Sequence, residues 1–276
     1  MNCFQIIKSV LDEAYNDIEG NEEEKDALIL DALKYLRTEY SKLLTSEGIV
    51  YSLPTTRFAY IYAYVTSHAN LVCTIIENSD DLSAVFDNGK VNVACIGGGP
   101  GSDFLGILKY LMVNDKKPTV RFQICDKEKT WIESWSDVED KVDPEFRIYT
   151  HYLSLDVTKP DDWQDHTKYL QSDLFTMIYF MSEVLALRDS SNEYFANLFE
   201  NARQGALFLF VDNNYPEFYG WFDELAKKYG VEILERTETS MKAPWKENKH
   251  DLGNYYEKFG HPKLTAKVAY RIGRKL

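Results

Sequence analysis

The chain has 276 residues, with 31 Lys and Arg against 44 Asp and Glu, a formal charge of −13. Binding to a phosphate backbone calls for a basic footprint, and no basic run stands out. The balance therefore disfavours nucleic acid as a partner and favours a small-molecule, cationic or protein substrate, with plain solubility as the other reading. No stretch approaches the roughly 20 apolar residues of a membrane span, and the early Asp12 and Glu13 do not suit a secretory signal. Cys3, Cys73, Cys95 and Cys125 form no C-x-x-C pair and read as reduced, packed thiols of a cytoplasmic protein. The histidines form no H-x-x-x-H pair, so no metal site is expected.

Residues 1–87 read as a helical cap or lid ahead of an α/β domain over 88–276. Phe4, Ile7, Val10, Leu11 and Tyr15 fall on one helical face. Glu22 to Leu44 reads as a second helix with acids in its first turn. Pro54 interrupts, and Thr55 or Thr56 is a candidate cap for a third helix running to about Ile76. Arg57, Tyr60, Tyr64 and His68 share one face of that helix. Tyr60 and Tyr64 also suit simple packing with wet hydroxyls.

The stretch Val91 to Leu108, VNVACIGGGPGSDFLGIL, reads as a strand, a glycine turn and a helix. The nearly unbroken apolar run through Ile96 suits a parallel strand buried on both faces. Ser102 and Asp103 are candidate N-caps before Phe104, Leu105, Ile107, Leu108 and Leu111. The dinucleotide fingerprint G-x-G-x-x-G fits neither frame, because its third position falls on Ser102 or Phe104. No G-K-[ST] follows, so a P-loop is excluded. What fits is G-x-G-x-G at Gly97, Gly99 and Gly101.

On these residues the chain resembles the class I S-adenosylmethionine-dependent methyltransferases, whose first motif commonly reads VLDLGCGPG. VACIGGGPG lies over it without a gap, departing at Cys95 where many members carry Asp or Glu. The resemblance implies a Rossmann-like, seven-stranded, mostly parallel sheet with helices on both faces, preceded here by the helical extension. It also implies S-adenosyl-L-methionine as cofactor.

The remaining elements follow the same alternation of strand and helix. Thr119 to Cys125 is the second strand, ending at Asp126, an acid placed to bind ribose hydroxyls. Lys127 and Trp131 open the next helix. Phe146 to Leu155 is the third strand, and the resemblance maps Asp156 onto the adenine amino group and Val157 onto its ring. An N-cap near Pro160 competes for Asp156 or Asp161. Leu174 to Met181 is the fourth strand, followed by Ser182 and Glu183. The [DNS]-P-P-[YF] motif of methyltransferases acting on base amines is missing there. Glu183 stands where an acceptor arrives, to take a proton or hold an ammonium group, or equally as a solvated loop acid. Ala206 to Val211 is the fifth strand, and its polar end, Asp212 to Pro216, falls on the ligand edge or forms a turn. Val231 to Arg236 and Ala266 to Ile272 supply the last strands. Between them, the long connection Ser240 to Pro262, with Trp245, Tyr255, Tyr256 and Phe259, reads as part of an acceptor pocket.

By this resemblance the candidate cofactor residues are Gly97, Gly98, Gly99, Gly101, Asp103, Asp126, Lys127, Asp156, Val157 and Ser182. Arg57, Tyr60 and Tyr64 join them to hold the methionine carboxylate and wall the acceptor. Glu183 is the candidate catalytic residue. The expected activity is methyl transfer to a small N- or O-acceptor. An RNA or protein methyltransferase and a non-catalytic cofactor-binding module are the competing readings.

Overall fold

The computed structural model describes residues 1–45, 48–242 and 247–276. Trp245 lies outside the described residues. The strands are β1 (Lys90–Ile96), β2 (Thr119–Asp126), β3 (Ile148–Ser154), β4 (Leu174–Ile178), β5 (Leu207–Asn213), β6 (Val231–Lys242) and β7 (Thr265–Lys275). They form one sheet in the order β3-β2-β1-β4-β5-β7-β6. The pairs among β1 to β5 are parallel, and β7 runs antiparallel to both β5 and β6.

Alternation along the central strands sends side chains into two apolar layers. Val91, Val93 and Cys95 of β1, with Leu207, Leu209 and Val211 of β5, enter one layer. Ala94, Ile96, Phe208 and Phe210 enter the other. The first layer is covered by α6 (Ser102–Val113) and α7 (Trp131–Val142), the second by α9 (Arg188–Asn201) and α10 (Pro216–Lys228). A sheet with helices on both faces is the result.

The N-terminal helices extend the first layer. They are α1 (Cys3–Asn16), α2 (Glu22–Tyr40), α3 (Pro54–Tyr60), α4 (Thr66–Glu77) and α5 (Asp80–Val85). Asn2 caps α1 by accepting the N–H of Phe4 and Gln5, and Asn21 with Glu24 forms a capping box on α2. The helix α2 stops at Tyr40, short of the expected Leu44, and a turn follows. A π turn over Ile61–Val65 joins α3 to α4 in one rod. Neither Thr55 nor Thr56 caps it: Leu53 is the N-cap and Pro54 the first helical residue, where its missing N–H is harmless. The helix α4 lies close on α6, and a Cβ on Gly106 would sit 2.6 Å from the Ala69 carbonyl oxygen. Residues from Cys3 to Ile272 thus share one apolar layer, and the N-terminal segment is built into the core of the sheet domain.

The late connection packs elsewhere than expected. It holds α11 (Asn254–Phe259) after Glu247. Tyr255 lies 5.3 Å from the Phe58 ring and donates its hydroxyl to Asp12 at 3.0 Å. Phe259 lies 5.6 Å from Tyr62. Glu247 pairs with Lys109 and also accepts the Cys3 N–H. The described part of the connection therefore buttresses α1, α3 and α6 from outside.

Candidate functional site

The site lies beyond the carboxyl ends of β1, β2 and β4, where the strand order reverses across β1. A cleft opens there. Its floor is the turn after β1. Gly97 donates to the Cys125 carbonyl at 2.8 Å and holds φ at +66°. A Cβ on it would sit 2.0 Å from the Phe180 ring, so only glycine fits. The N-cap of α6 is Gly101, at φ +84°, in place of Ser102 or Asp103.

The β2 acid locks this turn. Asp126 accepts the Gly99 N–H at 2.9 Å through one oxygen and the Glu128 N–H at 2.9 Å through the other. Burial raises its pKa to about 6, against the pull of those two donors. Asp103 is buried inside α6, accepting from Thr176 and from the Phe104 N–H at 2.9 Å, and burial raises its pKa as well. Thr176 and Asp103 occupy the space beside Cys95, whose thiol burial holds well above its ordinary range. At the β3 end, Asp156 accepts the Thr158 N–H at 3.0 Å and the Thr158 hydroxyl at 2.7 Å. Its carboxyl sits below the ordinary range: burial pushes it up, but Thr158 and Lys159 outweigh that.

The opposite wall is aromatic and carries one acid. Glu183 follows β4 on the short helix α8 (Met181–Val184). Its Oε1 accepts the Tyr51 hydroxyl at 2.8 Å and the Tyr40 hydroxyl at 3.0 Å, and those hydroxyls lie 2.8 Å apart. Burial raises the Glu183 pKa to about 7; Tyr51 and Tyr40 pull it down, while Asp126 and Asp212 push it up. The Tyr60 ring lies 5.4 Å from Tyr51 and 5.7 Å from Trp131. Tyr179 leaves β4 at φ +56°, a strained value for a bulky residue. Its ring stacks on His68 at 4.1 Å. Burial drives the His68 pKa down to about 3, so that ring is neutral and structural.

Of the candidates read from sequence, Gly97, Gly98, Gly99, Asp103, Asp126, Lys127, Asp156, Val157, Tyr60 and Glu183 line this cleft. Gly101, Ser182, Arg57 and Tyr64 do not. The buried Ser182 N–H donates to Asp212 at 2.9 Å. Arg57 donates to the carbonyls of Tyr51 at 3.1 Å and Ser52 at 2.8 Å, so it braces the segment that carries Tyr51. Tyr64 packs 5.3 Å behind Tyr60. Asp212 and Asn213 end β5, Asn214 and Tyr215 bend the chain and Pro216 opens α10; Asp212 is fully buried. Sequence reading missed Ile49, Tyr51 and Trp131 in the lining and Tyr40 behind it. The aromatic character of Tyr51 and Trp131 was the one local signal.

Strand order, the antiparallel β7, the glycine turn after β1 and the acid ending β2 now stand together. The fold is that of the class I S-adenosylmethionine-dependent methyltransferases. No family model and no curated protein matches the chain. Among solved structures, it is similar to a candidate RNA methyltransferase of Pyrococcus horikoshii. That match has 13% identity, covers 75% of this chain and 84% of the other, and has a TM-score of 0.45. It is similar to a candidate sarcosine dimethylglycine methyltransferase of Galdieria sulphuraria at 10% identity, 75% and 84% coverage and a TM-score of 0.44. It is also similar to precorrin-6Y C5,15-methyltransferase of Geobacter metallireducens at 10% identity, 72% and 90% coverage and a TM-score of 0.41. The acceptors named for these proteins differ, and at such similarity none speaks to the acceptor of this chain. Among the described residues no group of His, Cys, Asp and Glu is arranged to hold a metal ion, and no helix is long and apolar enough to cross a membrane.

Proposed function

We propose that the chain is a cytoplasmic S-adenosylmethionine-dependent methyltransferase acting on a small molecule. The observation that carries this reading is the roof of the cleft. Gly48, Ile49, Tyr51 and Tyr60, all from the N-terminal segment, line the same space as the glycine turn and Asp126. The N-terminal segment thus roofs the space beside the glycine turn, a setting that suits a small acceptor held next to a nucleoside cofactor.

The residues present fit the cofactor. Gly97, Gly98 and Gly99 present turn backbone to the cleft, with the Phe180 ring packed on Gly97, and by the resemblance this turn would take the methionine moiety. The Asp126 carboxylate, already held by two N–H donors, keeps lone pairs for the ribose hydroxyls. Asp156 and Val157 line the cleft, and by the resemblance they would hold and cover the adenine. Bound there, the cofactor supplies a methyl group on a strongly electrophilic sulfonium. The protein's part is then to bind, orient and dry the reactants. Tyr51, Tyr60 and Trp131 exclude water from the acceptor side, and Glu183 stands ready to hold a proton there.

Transfer of labelled methyl from S-adenosylmethionine into a cell extract, split into metabolite, protein and RNA fractions, tests this reading. Label in metabolites is expected. Label in RNA or protein overturns the small-molecule acceptor. Cofactor binding with no label in any fraction makes the chain a non-catalytic binding module.

A further inference from the structure

The acceptor side of the cleft has a chemistry of its own, set by Glu183 and its tyrosines. Glu183 Oε1 is saturated by Tyr40 and Tyr51, while Oε2 has no hydrogen-bond partner among the described residues. The ionisable residues lining the cleft are Asp103, Asp126, Asp156 and Glu183 against Lys127, besides the tyrosines and Cys125. Tyr51, Tyr60 and Trp131 line the same cleft as Glu183 and pack on one another, and aromatic faces attract cations. An anionic acceptor would meet four carboxyl groups against the single cation of Lys127. A neutral alcohol would meet a carboxylate too weak a base to ionise it. An ammonium group satisfies both the open carboxylate oxygen and the rings.

Resting on the methyltransferase reading above, we propose that the acceptor is a primary or secondary amine, bound as its ammonium ion against Glu183 Oε2. Tyr40 and Tyr51 are positioning residues that fix the carboxylate through Oε1. Glu183 takes one proton from the ammonium, giving a neutral amine and a carboxylic acid. The amine lone pair then forms the N–C bond to the methyl group as the C–S bond breaks. The bonding pair stays on sulfur, S-adenosylhomocysteine leaves neutral at sulfur, and the methylated product leaves as an ammonium ion. The base must be ionised to begin. Its proton affinity is set by burial, by Tyr40 and Tyr51, and by the charges of Asp126 and Asp212, and Tyr60 and Tyr64 also feel its charge. Burial has already raised it to about 7, in the range where a general base works best near neutral pH.

The test offers the full chain labelled S-adenosylmethionine with two pools, one of primary and secondary alkyl- and arylalkylamines, the other of matched alcohols, phenols and carboxylic acids. Cofactor affinity is measured by calorimetry alongside. Label in the amine pool is expected. Glu183→Gln should lower kcat/KM for the labelled amine by about 100-fold or more while binding cofactor like the wild type. Tyr51→Phe removes a donor that favours the carboxylate, so the acid limb of the kcat/KM profile should move to higher pH, an effect that loss of packing alone would not give. Cofactor binding with label in the second pool, or in neither, overturns the amine proposal and leaves the cofactor reading intact. Failure of the wild type to bind cofactor overturns the reading beneath it.

Discussion

The two halves of the cleft are built by different means. The half proposed for the cofactor is made by chain segments that each follow a strand directly, and its key contacts start from backbone N–H groups: Gly97 on the Cys125 carbonyl, Gly99 on the Asp126 carboxylate. The half proposed for the acceptor is made by side chains meeting across the fold. Tyr40 and Tyr51 reach Glu183 over sequence separations of 143 and 132 residues. A backbone-built wall tolerates little change in residue type, because its glycines leave no room for a side chain. A side-chain-built site can be retuned by single substitutions without disturbing the sheet. That difference predicts separable defects.

The largest effect should come from Gly97→Ala. It adds a Cβ 2.0 Å from the Phe180 ring at φ +66°, which should cost about 3 kcal/mol, read as a fall in melting temperature of roughly 5–10 °C. Cofactor binding should be lost with it. If Gly97→Ala folds and binds normally, the turn is not the rigid floor described here. Next in size is the loss of turnover in Glu183→Gln, with cofactor affinity kept. Equal damage to both would merge the two halves into one. Asp126→Ala should weaken S-adenosylmethionine binding by about 1–3 kcal/mol, or roughly 10- to 100-fold in Kd. Part of that loss would come from the Gly99 N–H left without its acceptor.

The smallest effect is on stability. Burial holds Glu183 at about 7 against 4.5, and Asp126 and Asp212 at about 6 against 3.8. Between those values the native state holds more protons than the unfolded chain, so stability is highest at the acid end and is lost as pH rises through 6 to 7. The cofactor-free protein should therefore melt a few degrees higher near pH 5.5 than at pH 8. Glu183→Gln should flatten part of that slope. A melting temperature that climbs steadily toward pH 8 would mean that these acids are ionised and well solvated.

The same contrast decides what could be read from the sequence. The sheet was legible because β1, β4 and β5 are nearly continuous apolar runs and β2 alternates apolar with polar residues, and Asp126 was picked out by its place at a strand end after the glycine motif, whose Gly99 it binds. Boundaries drifted where local signals were weak. The edge strand β6 runs on to Lys242, past the expected Arg236, since its alternating charged residues hide a strand. Arg57 shared a helix face with Tyr60 and Tyr64 and was a candidate for the methionine carboxylate, but its guanidinium donates to the Tyr51 and Ser52 carbonyls of the segment before α3. Tyr40 and Tyr51 carry no period or motif, and their meaning comes only from tertiary contact with Glu183. The late aromatic connection misled for the opposite reason. Its composition suits a pocket wall, yet Tyr255 and Phe259 pack on Phe58.

The most direct measurement is a calorimetric titration of S-adenosylmethionine into the wild type, Asp126→Ala and Glu183→Gln in parallel. Saturable binding to the wild type, weakened by about 10- to 100-fold in Asp126→Ala and unchanged in Glu183→Gln, is the predicted result. No binding to the wild type, or equal affinity in wild type and Asp126→Ala, would contradict the assignment of this cleft to that cofactor.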